Sequence, residues 1–261
     1  MRLGCILIGP FAFPQRDVID SILNILFPAS CVVCGSRVLE RRYGAACPDC
    51  WSSLVRVPPP ICPQCGDPAP AIEGLCGLCR MGEHAFDFAR SAVLFTETLR
   101  EIIHHLKYSD RVSLAKPLGD LLKQCLEREP FSGGLIVPVP LHWNRARIRG
   151  YNQAELIASR LERPLSRDLL RRRKNTPSQT GLSRNQRKLN LSGAFEARRR
   201  ISGAVIVVDD VYTTGATMNE IAKTLKRAGA DRVEVLTVAR VASSAYLAAE
   251  TEISVRESTV Q

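Results

Sequence analysis

Two sets of residues in this 261-residue chain have the types and spacing to do chemistry. The first is a pair of adjacent carboxylates, Asp209 and Asp210, at the end of the apolar run Ala204 to Val208. Val211, Tyr212, Thr213, Thr214, Gly215, Ala216 and Thr217 follow, and then an amphipathic helical pattern from Met218 to Arg227. The uninterrupted run predicts a strand buried on both faces. A strand, a tight loop and a helix make an anion site, because the first helical N–H groups lack partners and carry the positive end of the dipole. Threonine hydroxyls add donors, and Gly215 lets the backbone come close to a phosphate. Carboxylates are acceptors, so the two aspartates suit a diol. A diol and a phosphate gripped a few ångströms apart describe a ribose 5-phosphate.

The second set is sulfur. Eight of the ten cysteines form four C-x-x-C pairs: Cys31/Cys34, Cys47/Cys50, Cys62/Cys65 and Cys76/Cys79. Two residues between thiols let a tight turn aim both at one metal, and two such turns complete a tetrahedral zinc site. The proline-rich stretch from Val55 to Pro60 divides the pairs, which assigns Cys31, Cys34, Cys47 and Cys50 to one ion and Cys62, Cys65, Cys76 and Cys79 to a second. An interleaved pairing is the alternative. Sites closed by four sulfurs have no open position, so both zincs are read as structural. His84, beside the last pair, is read as a surface histidine.

The elements that must position these groups follow in order. Asp17 to Phe27 shows a helical face. Ser91 to Phe95 reads as a strand, Leu99, Ile102, Ile103 and Leu106 mark a helix, and Leu114 to Glu129 a second one. Gly134 to His142 is an apolar strand running into the rigid loop Val139-Pro140-Leu141-His142, after which a helix opens near Arg145 and continues through Leu161. The stretch from Arg171 to Phe195 is basic and long for a plain loop, which suggests a lid. Val233 to Val238 supplies a last strand. The implied domains are a loose extension at 1–16, a helix with a double zinc ribbon at 17–84, an α/β domain at 85–242 with a flexible basic loop at 172–190, and a disordered tail at 243–261.

The net charge of +10 calls for an anionic partner, phosphate or nucleic acid. The excess is local: Leu141 to Arg200 holds sixteen Lys and Arg against four Asp and Glu. No apolar run approaches the roughly twenty residues of a membrane span, the opening residues are too short for a secretory signal, and a cytoplasmic location is expected.

The segment from Ala204 to Thr217 closely resembles the binding motif of type I phosphoribosyltransferases. In that family the two acids hold the ribose hydroxyls of phosphoribosyl pyrophosphate (PRPP), and the loop holds the 5-phosphate. Further motifs are Lys107-Tyr108, Val137-Pro-Val-Pro-Leu-His142, Arg149-Gly-Tyr-Asn-Gln-Ala-Glu155, Ser178-Gln-Thr-Gly-Leu-Ser-Arg184 and Asn190-Leu-Ser-Gly-Ala-Phe195. With the zinc knuckles, the chain from about Asp17 to Val241 resembles the ComF family, which joins a cysteine zinc module to a phosphoribosyltransferase-like domain. The resemblance implies a type I phosphoribosyltransferase-like parallel sheet flanked by helices. It implies PRPP or another phosphoribosyl compound as ligand, Mg²⁺ accompanying the pyrophosphate, and a link to DNA uptake, with single-stranded DNA and competence-machinery proteins as partners. Asp209 and Asp210 would stabilise positive charge at the sugar, and residues Val211 to Thr217 would hold the 5-phosphate. Val139, Pro140, Leu141, His142 and Arg149 would contact the pyrophosphate, with Arg184, Arg187 and Lys188 closing from the lid. Transfer to an unnamed acceptor is one implied activity. Non-catalytic DNA binding or a PRPP-responsive regulator is the other.

Overall fold

The computed structural model describes residues 29–68, 74–82, 84–174, 191–244 and 246–247. The expected helix from Asp17 to Phe27, most of the basic loop with Arg184, Arg187 and Lys188, and most of the tail lie outside them.

The cysteine-rich part is built from very short elements: β1 (Ala29–Ser30) antiparallel to β2 (Arg37–Val38), α1 (Pro48–Ser52) and α2 (Gly77–Arg80). Such pieces bury little area, so another agent must hold them together. The α/β part opens with β3 (Phe88–Leu94), α3 (Glu97–Tyr108) and α4 (Ala115–Arg128). Thr96 starts α3 by accepting from the Leu99 amide at 3.5 Å. Leu99, Ile102, Ile103 and Leu106 form its buried stripe, at the spacing expected. Then come β4 (Leu135–Pro138), α5 (Trp143–Arg149) and α6 (Gln153–Ala158), the antiparallel pair β5 (Leu170–Arg172) and β6 (Phe195–Ala197), β7 (Ala204–Tyr212), α7 (Ala216–Arg227) and β8 (Arg232–Arg240).

The central sheet is parallel throughout, in the order β3-β8-β7-β4. Its inner strand β7 is the predicted buried run, and Val205 to Val208 are fully buried. The strand continues past the apolar run through both aspartates to Tyr212, because pairing with β8 continues there: Asp209 lies opposite Thr237, and Tyr212 opposite Arg240. The helix expected through Leu161 is instead two helices. Gly150, in the left-handed region at φ 75°, ends α5, and Asn152 starts α6 by accepting from the Ala154 amide at 3.1 Å.

Strand alternation divides the core into two layers. Ile206, Val208, Leu236 and Val238 face the layer of α3, α4 and α6, which also takes Trp51 and Leu54 of the first cysteine module. Val205, Val207, Val233 and Val235 face α7, Leu170 and Phe195, together with the cysteines of the second module. Edge strand β3 binds both modules. Leu94 donates to the Val55 carbonyl at 2.7 Å, and Ala89 to the Gln64 carbonyl at 2.7 Å.

A candidate phosphoribosyl site beside two sulfur centres

The eight cysteines gather as the sequence grouped them. Cys31, Cys34, Cys47 and Cys50 form one set and Cys62, Cys65, Cys76 and Cys79 the other, with the sulfurs of each set within 4.8 Å of one another. The Cys34 and Cys47 sulfurs are 3.6 Å apart, as are those of Cys65 and Cys76. Backbone amides point at sulfur: Cys47 at Cys31 (3.3 Å), Val33 at Cys31 (3.4 Å) and Cys76 at Cys62 (3.4 Å). Amide donors favour thiolates over thiols, and four convergent thiolates fit Zn²⁺. The donor sets therefore suit two structural zinc ions. Among the described residues these are the only groups of three or more candidate metal ligands so close together, and the aspartates are not in such a group.

At the carboxyl edge of the sheet, the alternation that separates Val207 from Val208 also separates Asp209 from Asp210. Asp210, buried, lies on the face of α3 and α6. Lys107, near the end of α3, forms an ion pair with its Oδ2. Gln153, the first residue of α6, donates from Nε2 to Oδ1 at 3.4 Å, and its own Oε1 accepts from Arg149. The Arg149 guanidinium lies 5.1 Å from the centre of the Tyr108 ring. Asp209 lies on the other face, and its Oδ1 accepts from the Asp210 amide at 2.9 Å.

These surroundings drive two like side chains apart. Burial, and then the charge on Asp210, hold the Asp209 carboxyl well above the usual carboxylate range. Burial also opposes ionisation of Asp210. There, the Lys107 charge, with hydrogen bonds from Asp209, Lys107 and Gln153, outweighs it and holds the carboxyl below its ordinary value. Lys107 is pushed down by burial but pulled up further by Asp210, so it stays an ammonium. On the Asp209 side, burial and then the neighbouring Arg145 charge pull the Arg172 guanidinium down, and Asp209 acts the other way.

The loop after β7 has the geometry its sequence requires. Gly215 starts α7 at φ 73° and ψ 0°, with no side-chain cap on the first amides. Its conformation is left-handed, and a methyl group there would overlap the Tyr212 hydroxyl, so the position admits only glycine. The Thr214 hydroxyl is buried and has no protein hydrogen-bond partner. A twelve-residue helix mouth with open amides and a waiting hydroxyl suits an oxyanion. Thr213 is exposed, and Thr217 half-buried, at the same mouth. Tyr212 forms the floor: its ring is buried, with the Arg240 guanidinium 4.6 Å from its centre and Phe86 edge-on at 6.2 Å.

The rigid loop after β4 lies beside the acids, because Pro138 pairs with Val208 and the Val139 amide donates to the Val208 carbonyl at 2.9 Å. Asn152 holds the loop from below through the Val139 carbonyl at 3.0 Å. His142 is buried and caps α5, its Nδ1 accepting from the Asn144 amide at 3.4 Å, which is the structural role of a loop-end histidine. Helix α5 itself buries none of its residues.

His84 corrects the reading of a surface histidine. It is half-buried, stacks on Phe86 at 4.6 Å, and borders Gly215. Lys107, Gln153 and Arg172 had no assigned role from sequence. One signal was available: Lys107 lies four residues after Ile103, beside the apolar stripe of α3, where a lysine needs a partner. Which residue pairs with it depends on the fold.

Comparison with known proteins agrees with both halves. The family model of the double zinc ribbon domain matches residues 22–80, and that of the phosphoribosyl transferase domain matches residues 148–260. The chain is 34% identical over 223 residues to the DNA utilization protein YhgH of Escherichia coli, covering 82% of this chain and 97% of that protein. It is 30% identical over 231 residues to competence protein F of Haemophilus influenzae, covering 82% and 98%. Competence protein ComFC of Bacillus subtilis is 28% identical over 192 residues, covering 70% and 78%.

Proposed function

Because the chain belongs to the ComF family, we propose that its sheet edge binds PRPP and that the protein serves the handling of incoming DNA. The observation that carries the first part is the juxtaposition of two unequal acids with an uncapped, hydroxyl-lined helix mouth on one strand end. Asp209 and Asp210 take the ribose 2′- and 3′-hydroxyls, and the amides and hydroxyls from Val211 to Thr217 take the 5-phosphate. The backbone from Val139 to His142, with Arg149, takes the pyrophosphate; Arg184, Arg187 and Lys188 would cover it. Mg²⁺ accompanying the PRPP would supply charge neutralisation on the pyrophosphate. In transfer, the bond from ribose C1 to the pyrophosphate oxygen breaks as a bond from C1 to the acceptor forms, and pyrophosphate leaves with the electron pair. The acid pair, fixed on a buried strand, stabilises the positive charge that develops at the sugar.

A second reading, non-catalytic binding of single-stranded DNA, draws on one feature. Trp143 and Tyr108 are 58% and 69% exposed, and each lies under an arginine: Arg147 at 6.0 Å from Trp143, and Arg149 over Tyr108. Exposed rings with cations suit base stacking beside a phosphate backbone. The remaining candidates in the basic stretch are less available: Phe195 is buried, and Tyr151 is half-buried with its hydroxyl donating to Leu106. The two readings separate in one experiment on the zinc-loaded protein. Pyrophosphate release from PRPP with a panel of bases and amines, lost in the Asp209→Ala, Asp210→Ala double variant, supports transfer. Salt-sensitive oligonucleotide binding that survives in that variant, without any PRPP binding in the parent, supports DNA binding alone.

A further inference from the structure

The acid pair meets the rest of the protein unequally, and the inequality comes from one side chain outside the motif. We propose that Lys107 is a positioning residue of this edge, holding Asp210 as the fixed anion of the pair so that a phosphoribosyl diol meets one anchored acid and one adaptable one; the inference rests on the phosphoribosyl reading above. Lys107 reaches Asp210 from α3 because Ile103 and Leu106 bury the face on which its stem lies. Its ammonium contacts Asp210 Oδ2, while Gln153 takes Oδ1. The pair is enclosed, with side chains 22% and 5% exposed for Lys107 and Asp210, so solvent screens it weakly.

The charged and titratable groups facing this pair come from four elements. Lys107 comes from α3, Arg149 from the end of α5, and Asp209 from the same strand; Arg172 of β5 and Arg145 of α5 lie on the Asp209 side. Gln153 of α6 is the neutral contact. Of these cations only Lys107 forms a direct ion pair with Asp210 among the described residues. Arg149 acts on Gln153 and repels Lys107, so it orients the network without replacing the ammonium. The opposed directions of the two carboxyls are what this arrangement entails: Lys107 favours the charged form of Asp210, and that charge in turn raises Asp209.

The test uses the zinc-loaded full chain and its Lys107→Met and Lys107→Arg variants. In the ligand-free protein, carbon-detected NMR of the carboxyl groups should show the Asp210 midpoint rising in Lys107→Met by about 1–3 pH units, and staying near its parent position in Lys107→Arg. Titration of PRPP with Mg²⁺ across pH should show the acid limb of affinity moving up in Lys107→Met. The loss should grow as pH falls, approaching roughly tenfold per unit of midpoint shift below the parent midpoint, and be smallest at neutral pH. An unmoved Asp210 midpoint, or affinity that falls equally at every pH, overturns the proposal and leaves Lys107 a packing residue. A parent protein that binds no PRPP at any pH overturns the phosphoribosyl reading, whereas the ligand-free carboxyl titration still decides whether Lys107 sets Asp210. Should Lys107→Met fail to fold, an Arg variant whose Asp210 midpoint rises by the same 1–3 units counts equally against the proposal.

Discussion

The cysteine clusters and the acid pair are both built from like residues at close spacing, yet they use identity in opposite ways. Within each sulfur set the four thiols converge on one point, with backbone amides donating to the sulfurs. Asp209 and Asp210 are adjacent in sequence, but the period of a strand sends them to opposite faces, one toward Lys107 and Gln153, the other toward the Arg172 side. Convergence closes a site and suits a structural ion. Divergence leaves one acid anchored and the other adaptable, which suits a site that must accept and release a ligand. Like residues in like surroundings close on one point, whereas like residues in unequal surroundings take different parts in one site.

The largest expected effect breaks the convergent side. In a Cys62→Ser, Cys65→Ser variant, zinc content should fall from two ions to one. The second module should also unfold, since structural zinc contributes on the order of 10–16 kcal/mol to small domains that fold with it. Elemental analysis and a thermal melt check this. The damage should reach the sheet edge, because Arg240 donates to the Cys65 carbonyl at 2.7 Å and to Asp67 at 3.0 Å while covering Tyr212. Retention of both zincs with an unchanged melt would show that the sulfurs do not organise this module.

The divergent side predicts effects of opposite sign for two neighbouring aspartates. Asp210→Ala strands the Lys107 ammonium and should cost about 1–3 kcal/mol of stability in denaturant titration. Asp209→Asn should stabilise the ligand-free protein at neutral pH, since burial and the Asp210 charge penalise its carboxylate. A raised carboxyl contributes stability in full below its unfolded value, about 3.9, and loses it as pH rises through the folded value. The melting temperature of Asp209→Asn relative to the parent should therefore climb as pH rises above about 4. Asp210, held low, behaves oppositely: its contribution is present above the unfolded value and is lost as pH falls. Equal effects for the two substitutions would remove the asymmetry. The smallest effect belongs to the exposed helix α5. Trp143→Ala should shift stability by no more than about 0.5 kcal/mol, because its ring is 58% exposed, while weakening oligonucleotide binding if that surface stacks bases.

What could be read from sequence follows the same division. The two cysteine clusters were legible, with an interleaved pairing left open, because C-x-x-C spacing and the proline stretch are local signals and the ligands need only two turns each. The buried strand, the loop and helix α7 were legible because an apolar run, a required glycine and a helical period are also local. The asymmetry of the acids was not, although alternation guarantees that adjacent strand residues face apart. Whether Lys107 or Arg172 awaits on either face depends on how α3 and β5 pack, at separations of many residues. The break at Gly150 was missed for a milder reason: the arginine-rich segment before it and the apolar pattern after it both read as helix, and a left-handed φ of 75° followed by the Asn152 cap separates them.

The most direct test is isothermal calorimetry of the zinc-loaded chain with PRPP in the presence of Mg²⁺. A single saturable event is predicted, and it should vanish when Asp209 and Asp210 are both alanine while zinc content and fold persist. Absence of any heat from the parent, or an equal response from the double variant, would contradict the claim that this strand end is a phosphoribosyl site.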